Sequence, residues 1–136
     1  MSPFPFRPAL LLAAGSIALV IGVAILADPV GFHAAGGVRL SAEAGLLNEM
    51  RAAGGAILAV GLLALIGVFT VALRTVALTA CAVVYSGYGL ARLFSFLVDG
   101  VPNPALVWIT ALELVMGTAC FVAAAAPSRS RASAQG

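Results

Sequence analysis

ALVWITALELVMGTACFVAAAA, the run from Ala105 to Ala126, decides the fold: it is apolar throughout except for one ionisable residue, Glu113. A helix needs about 20 predominantly apolar residues to cross roughly 30 Å of hydrocarbon, and this run suffices. An ionised carboxylate on such a helix costs roughly 2.5–3.5 kcal/mol on insertion scales and is rarely turned toward lipid. Glu113 is therefore expected to face the interior of a helix bundle and to have a partner there.

The rest of the chain agrees with a membrane setting. Of its 136 residues, 62% are hydrophobic and 9% charged, with a mean hydropathy of +1.14. Soluble domains average about 25% charged and 45–50% apolar residues, so this composition belongs to an integral membrane protein. The length fits a single domain with no soluble segment able to bury its own core. The net charge of +2 comes from seven arginines and no lysine, too few and too scattered for nucleic-acid binding. Cys81 and Cys120 lie in apolar runs, which argues against a disulfide framework. His33 is the only histidine, so the ligand set for zinc is missing, and no histidine lies within a span to hold haem. No metal and no cofactor are expected.

Four apolar stretches reach spanning length, at about 9–27, 50–73, 75–97 and 105–126. A signal peptide is the rival reading of the first, because Arg7 precedes it. The segment is long for a signal, and Ile25 spoils the small-x-small pattern before Ala27. The expected fold is all-α, an integral membrane four-helix bundle over residues 1–126 followed by a disordered tail, 127–136. Arg7, Arg74, Arg129 and Arg131 fall on one side of this four-span arrangement with no acid among them. Asp28, Glu43, Glu49 and Asp99 fall on the other, with Arg39, Arg51 and Arg92. The positive-inside bias then places both termini in the cytoplasm. The outer loop, 28–49, opens on Asp28-Pro29, and Ser41 is a candidate cap for a helix carrying Leu46, Leu47 and Met50 into span two. The linker Asp99-Gly100-Val101-Pro102-Asn103-Pro104 reads as a tight turn in which Gly100 permits positive φ. Gly15, Ala18 and Gly22 fall on one face of span one, as do Ala53, Val60 and Gly67 in span two, and with Gly54, Gly55 and Gly61 they suit close helix packing.

Helical spacing assembles the polar constellation. Tyr85, Tyr88, Arg92 and Ser95 recur at intervals that share one face of span three. Arg92 lies about five residues, roughly 7.5 Å, from the outer end, and Glu113 roughly 12 Å, a difference that an arginine stem bridges. Arg51 stands at the outer mouth of span two. Two arginines and one glutamate are thus expected to meet, with tyrosine hydroxyls as further partners and Asp99 either capping span four or binding Arg92. One reading is a structural ion pair pinning three helices. A second is an outward-open pocket for an anionic or polar headgroup. A third, proton coupling through Glu113, requires the pair to be loose. Cys81 and Cys120 lie at similar depth and read as small core hydrophobes. Trp108 reads as an interfacial aromatic and His33 as solvated. No nucleophile–base pair or phosphate-binding loop is visible.

At these residues the chain resembles a known family. Met50-Arg51-Ala52-Ala53-Gly54-Gly55, then Gly87-Tyr88-Gly89-Leu90-Ala91-Arg92-Leu93, Asp99-Gly100-Val101-Pro102 and Glu113-Leu114 occur in order, and the set resembles the bacterial domain of unknown function 4345. The likeness covers about Asp28 to Val122. It implies a compact four-helix inner-membrane protein, loosely similar to DoxX-like proteins, with Arg51, Arg92, Asp99 and Glu113 as its polar positions. It implies no established reaction. The expected function is accordingly non-enzymatic: an accessory or structural subunit in the bacterial inner membrane, with the bilayer and a membrane-protein partner or second copy as its contacts. The alternatives are a lipid-, quinone- or small-amphiphile-binding or transport protein, or a DoxX-like helper of a quinone-linked redox enzyme.

Overall fold

The computed structural model describes residues 6–126. The tail read above as disordered, with Arg129 and Arg131, lies outside them. Five helices follow one another: α1 (Phe6–Ala27), α2 (Pro29–Ala35), α3 (Ala44–Phe69), α4 (Arg74–Val98) and α5 (Pro104–Ala125), with a 3₁₀ turn at Val71–Leu73 before α4. No strand occurs among the described residues. α1, α3, α4 with its preceding turn, and α5 are long and apolar enough to cross a membrane. At 1.5 Å per residue the shortest of them, 22 residues, is roughly 33 Å long.

The helix ends are set by local chemistry. Asp28 caps α2 by accepting from the Gly31 backbone N–H at 2.9 Å, and Pro29 supplies the first helical residue, where its missing N–H costs nothing. This short helix was not expected, although Asp-Pro is the cap signal that announces it. Ser41 does not cap the next helix: α3 begins at Ala44 behind Glu43, whose side chain makes no capping bond. Leu46, Leu47 and Met50 are nevertheless half-buried on one face while Asn48 and Glu49 are exposed. Asn103, not Asp99, caps α5, accepting from the Leu106 N–H at 3.3 Å. Gly100 has the positive φ, +95°, that the turn requires.

Glycines set how the helices pair. α1 and α3 run antiparallel, and a Cβ on Gly22 would lie 2.7 Å from the Leu58 nitrogen, while one on Gly61 would lie 2.8 Å from that of Leu19. Both helices therefore touch through backbone. Gly15 and Gly54 continue the same seam, against Ala64 and Ile25. Gly67 instead meets Ala77 of α4. Gly55 meets nothing within 4 Å, so it does not belong to the packing set. The α4–α5 pair uses two glycines that the sequence reading passed over as packing residues, Gly89 against Leu114 and Gly117 against Ser86.

The core lies toward one end. Leu11, Ala14, Ala64, Ala77, Leu78, Cys81, Tyr85, Cys120 and Ala123 form its buried cluster, close to where α1 starts and α5 finishes. Arg7 ties these two ends together, donating from Nε to the Ala123 carbonyl at 2.9 Å and from Nη2 to that of Ala126. At the opposite end, the loop end, the Asn103 amide donates to the Gly36 carbonyl at 2.9 Å and joins the two longer connections.

Overpacking a seam of this kind costs about 1–3 kcal/mol or more. Gly61→Val is expected to lower the midpoint of thermal unfolding in detergent. Gly55→Ala is expected to leave it within about 0.5 kcal/mol of the parent. Equal effects of the two substitutions would contradict the seam.

Candidate functional site

The inward face of α4 is a single stripe. Leu78, Cys81, Tyr85 and Gly89 are buried along it at helical spacing, and Arg92 is the next residue in line. α5 offers the matching face, with Cys120, Gly117 and Thr110 buried and Glu113 between them. Because Gly89 has no side chain, α5 approaches closely at Leu114, and the Arg92 stem reaches Glu113. Arg92 Nε donates to both carboxylate oxygens, at 3.0 Å to Oε2 and 3.3 Å to Oε1. The Arg92 side chain is 33% exposed and that of Glu113 13%. Among the described residues this is the only ion pair.

The geometry matters chemically. A guanidinium gripping a carboxylate with its full fork uses two nitrogens in parallel. Here one nitrogen serves both oxygens, and the terminal nitrogens of Arg92 donate to nothing among the described residues. Thr110, one turn before Glu113, returns its hydroxyl to the Leu106 carbonyl at 2.8 Å and adds no free donor.

The other residues expected here are placed elsewhere. Arg51 does not join Glu113. Its Nε donates to the Leu26 carbonyl at 3.1 Å, the C-terminus of α1. Counting residues along the helix could not give its direction around the helix. Tyr85 points toward α1 and donates its hydroxyl to the Ala14 carbonyl at 2.7 Å, buried. Tyr88 is 37% exposed and makes no side-chain hydrogen bond among the described residues. Asp99 binds neither Arg92 nor a helix N-terminus; it accepts from Ser95 Oγ at 2.8 Å, one turn back on its own helix. His33 is not simply solvated, since its Nδ1 lies 2.7 Å from the Pro29 carbonyl oxygen. Cys81 and Cys120 are fully buried free thiols of the same core cluster.

A second use of arginine emerges from the coordinates. Arg74 donates to the Gly67 and Val68 carbonyls at 3.3 and 3.0 Å, at the end of α3. With Arg7 on α5 and Arg51 on α1, three helices have one or two carbonyls at their ends bonded by guanidinium groups. Those carbonyls have no partner within their own helix and carry the negative end of its dipole. The sequence signals this only at Arg74, which follows directly on a helix end.

The chain belongs to the family described as domain of unknown function DUF4345, whose family model matches residues 7–124. The match includes α1, beyond the segment that carried the resemblance. No curated protein and no solved structure matches the chain.

Removing one partner of a buried ion pair strands the other charge, which costs about 3–5 kcal/mol when both are fully buried. With Arg92 a third exposed, Arg92→Leu is expected to cost about 1–3 kcal/mol, the range for an unsatisfied polar group. The double variant Arg92→Leu/Glu113→Leu should recover most of that loss. A double-mutant cycle on unfolding in detergent measures the coupling, and strict additivity would show that the pair contributes nothing.

Proposed function

We propose that this member of the DUF4345 family is a four-helix bundle spanning the bacterial inner membrane, with both ends cytoplasmic, and that it binds the polar head of a small amphiphile at Arg92 and Glu113. One observation carries the binding reading. Arg92 spends only Nε on Glu113, while its terminal nitrogens have no protein acceptor and its side chain remains a third exposed. Guanidinium is a donor with no acceptor capacity, and no side-chain polar atom without a partner is buried among the described residues, so these nitrogens stay accessible. A ligand oxygen can reach and use them. The orientation is supported by Arg7 and Arg74, which lie at the end away from Asp28, Glu43 and Asp99.

A specific observation also favours a second reading, an accessory subunit of a larger membrane assembly. Ala52, Ala56 and Ala59 are exposed along α3, and Gly55 beside them meets nothing within 4 Å. A face of small residues lets another membrane helix approach closely. Under this reading gentle detergent extraction recovers the chain with a partner, whereas a lone monodisperse chain counts against it.

The binding reading is tested with a photoreactive monoacylglycerol on the purified protein. Labelling is expected to be saturable and to fall at least tenfold in Arg92→Leu and in Arg92→Leu/Glu113→Leu, the second of which leaves no stranded charge. Undiminished labelling of the double variant, with helicity intact, would remove Arg92 from the site.

A further inference from the structure

The charge of the site constrains what it takes. We infer that the ligand head is a neutral hydrogen-bond acceptor, of the kind presented by an ester or quinone carbonyl, and that Glu113 is the residue excluding anions. The inference rests on the reading of Arg92 and Glu113 as an amphiphile site and specifies its ligand chemistry.

Arg92 and Glu113 form one ion pair at 3.0 Å, so together they carry no net charge. No third charged side chain is bonded to them among the described residues. Arg51, the residue best placed by depth to add a positive charge, is committed to the Leu26 carbonyl. Asp99 is engaged by Ser95. An anionic head would have to share Arg92 with a carboxylate already 13% exposed and in contact. The filled site would then hold an excess negative charge in a medium where an unpaired charge is heavily penalised. A carbonyl oxygen accepts from the terminal nitrogens without changing the charge balance. The site can hydrogen-bond it as fully as it would an anion's oxygen, without the electrostatic cost.

Donor geometry leaves room for the ligand oxygen, and the charge balance alone selects its kind. Nε bridges both Glu113 oxygens, which leaves the outer edge of the guanidinium as the open side. That edge donates to one or two oxygen atoms in its plane. Phe96 and Leu106, both half-buried, follow Arg92 and precede Glu113 by about one and two helical turns. The polar contact therefore lies among apolar surface suited to an alkyl chain. Specificity of this type works by penalising the wrong ligand, here with a fixed like charge.

The experiment compares three probes on the purified protein in neutral detergent at about pH 9, where a carboxylic acid is ionised. Methyl oleate and oleate share one chain and differ in head charge; an alkyl-benzoquinone offers the neutral carbonyl in its other form. Equilibrium binding is expected to be at least tenfold tighter for methyl oleate or the quinone than for oleate, and the better of the two identifies the carbonyl source. Oleate binding as tightly as both neutral probes overturns the inference and leaves the amphiphile site standing. Absence of saturable binding by all three removes the site itself. In Glu113→Gln the pair becomes net positive, and the ratio of oleate to methyl oleate affinity is expected to rise at least tenfold. An unchanged ratio in a variant of parental helicity also overturns the inference. The wild-type comparison decides the matter alone if that variant does not fold.

Discussion

Charge and backbone held among apolar helices must find their partners within the chain, because lipid supplies none. Four of the five arginines of the described residues, all but the exposed Arg39, show how far this constraint reaches. Arg7, Arg51 and Arg74 each turn to the last carbonyls of a neighbouring or preceding helix. Each thereby answers both an unpaired acceptor and the negative end of a dipole. Arg92 lies inside α4, six residues before its end at Val98. Its partner is a carboxylate, Glu113 of α5 at 3.0 Å.

Arg74 and Arg92 show the two extremes of partner, backbone and carboxylate. A guanidinium held between two carbonyls, as Arg74 is between those of Gly67 and Val68, has its fork occupied and works as a clasp. Arg92 holds its partner by one nitrogen and retains unused donors. The same side-chain type therefore does different work according to how many acceptors the local backbone leaves exposed. Tyr85 belongs with the clasps: its hydroxyl on the Ala14 carbonyl joins α4 to α1 in the middle of the buried cluster.

What the sequence revealed follows the same line. Arg92 and Glu113 were legible because both lie within apolar runs where periodicity and rise per residue define depth and face. The seam glycines Gly15 and Gly22 were legible for the same reason, whereas in span two the face read through Ala53 and Val60 lies one residue from the glycines that touch α1, Gly54 and Gly61. Arg51 was misplaced because it stands at a helix mouth, where a long side chain turns either inward or sideways and the nearest carbonyl decides. Tyr85 was placed on the correct face but given the wrong partner: any backbone carbonyl can accept, and no residue identity marks which one will. Gly55 was grouped with Gly54, although adjacent positions on a helix point about 100° apart and only one can face α1.

The location of the pair relative to the core gives it its character. Leu78, Cys81 and Tyr85 are sealed toward one end of α4, while Arg92, two turns beyond Tyr85, is a third exposed. One continuous helix face thus passes from dry packing to an open polar group. The sealed half fixes the rotation of α4 through the Tyr85–Ala14 bond and the close approach of Gly117 to Ser86. The open half then presents Arg92 at a defined angle without needing further contacts of its own. At the loop end, the Asn103–Gly36 bond ties the start of α5 to the connection between α2 and α3, so Glu113 is steadied from its own side. A rigid base with a tethered rim holds an ion pair in one geometry while leaving its outer edge free for a ligand oxygen. Under the proposed binding role, this is the preorganisation that lets Arg92 hold a ligand oxygen while the Glu113 carboxylate discriminates by charge.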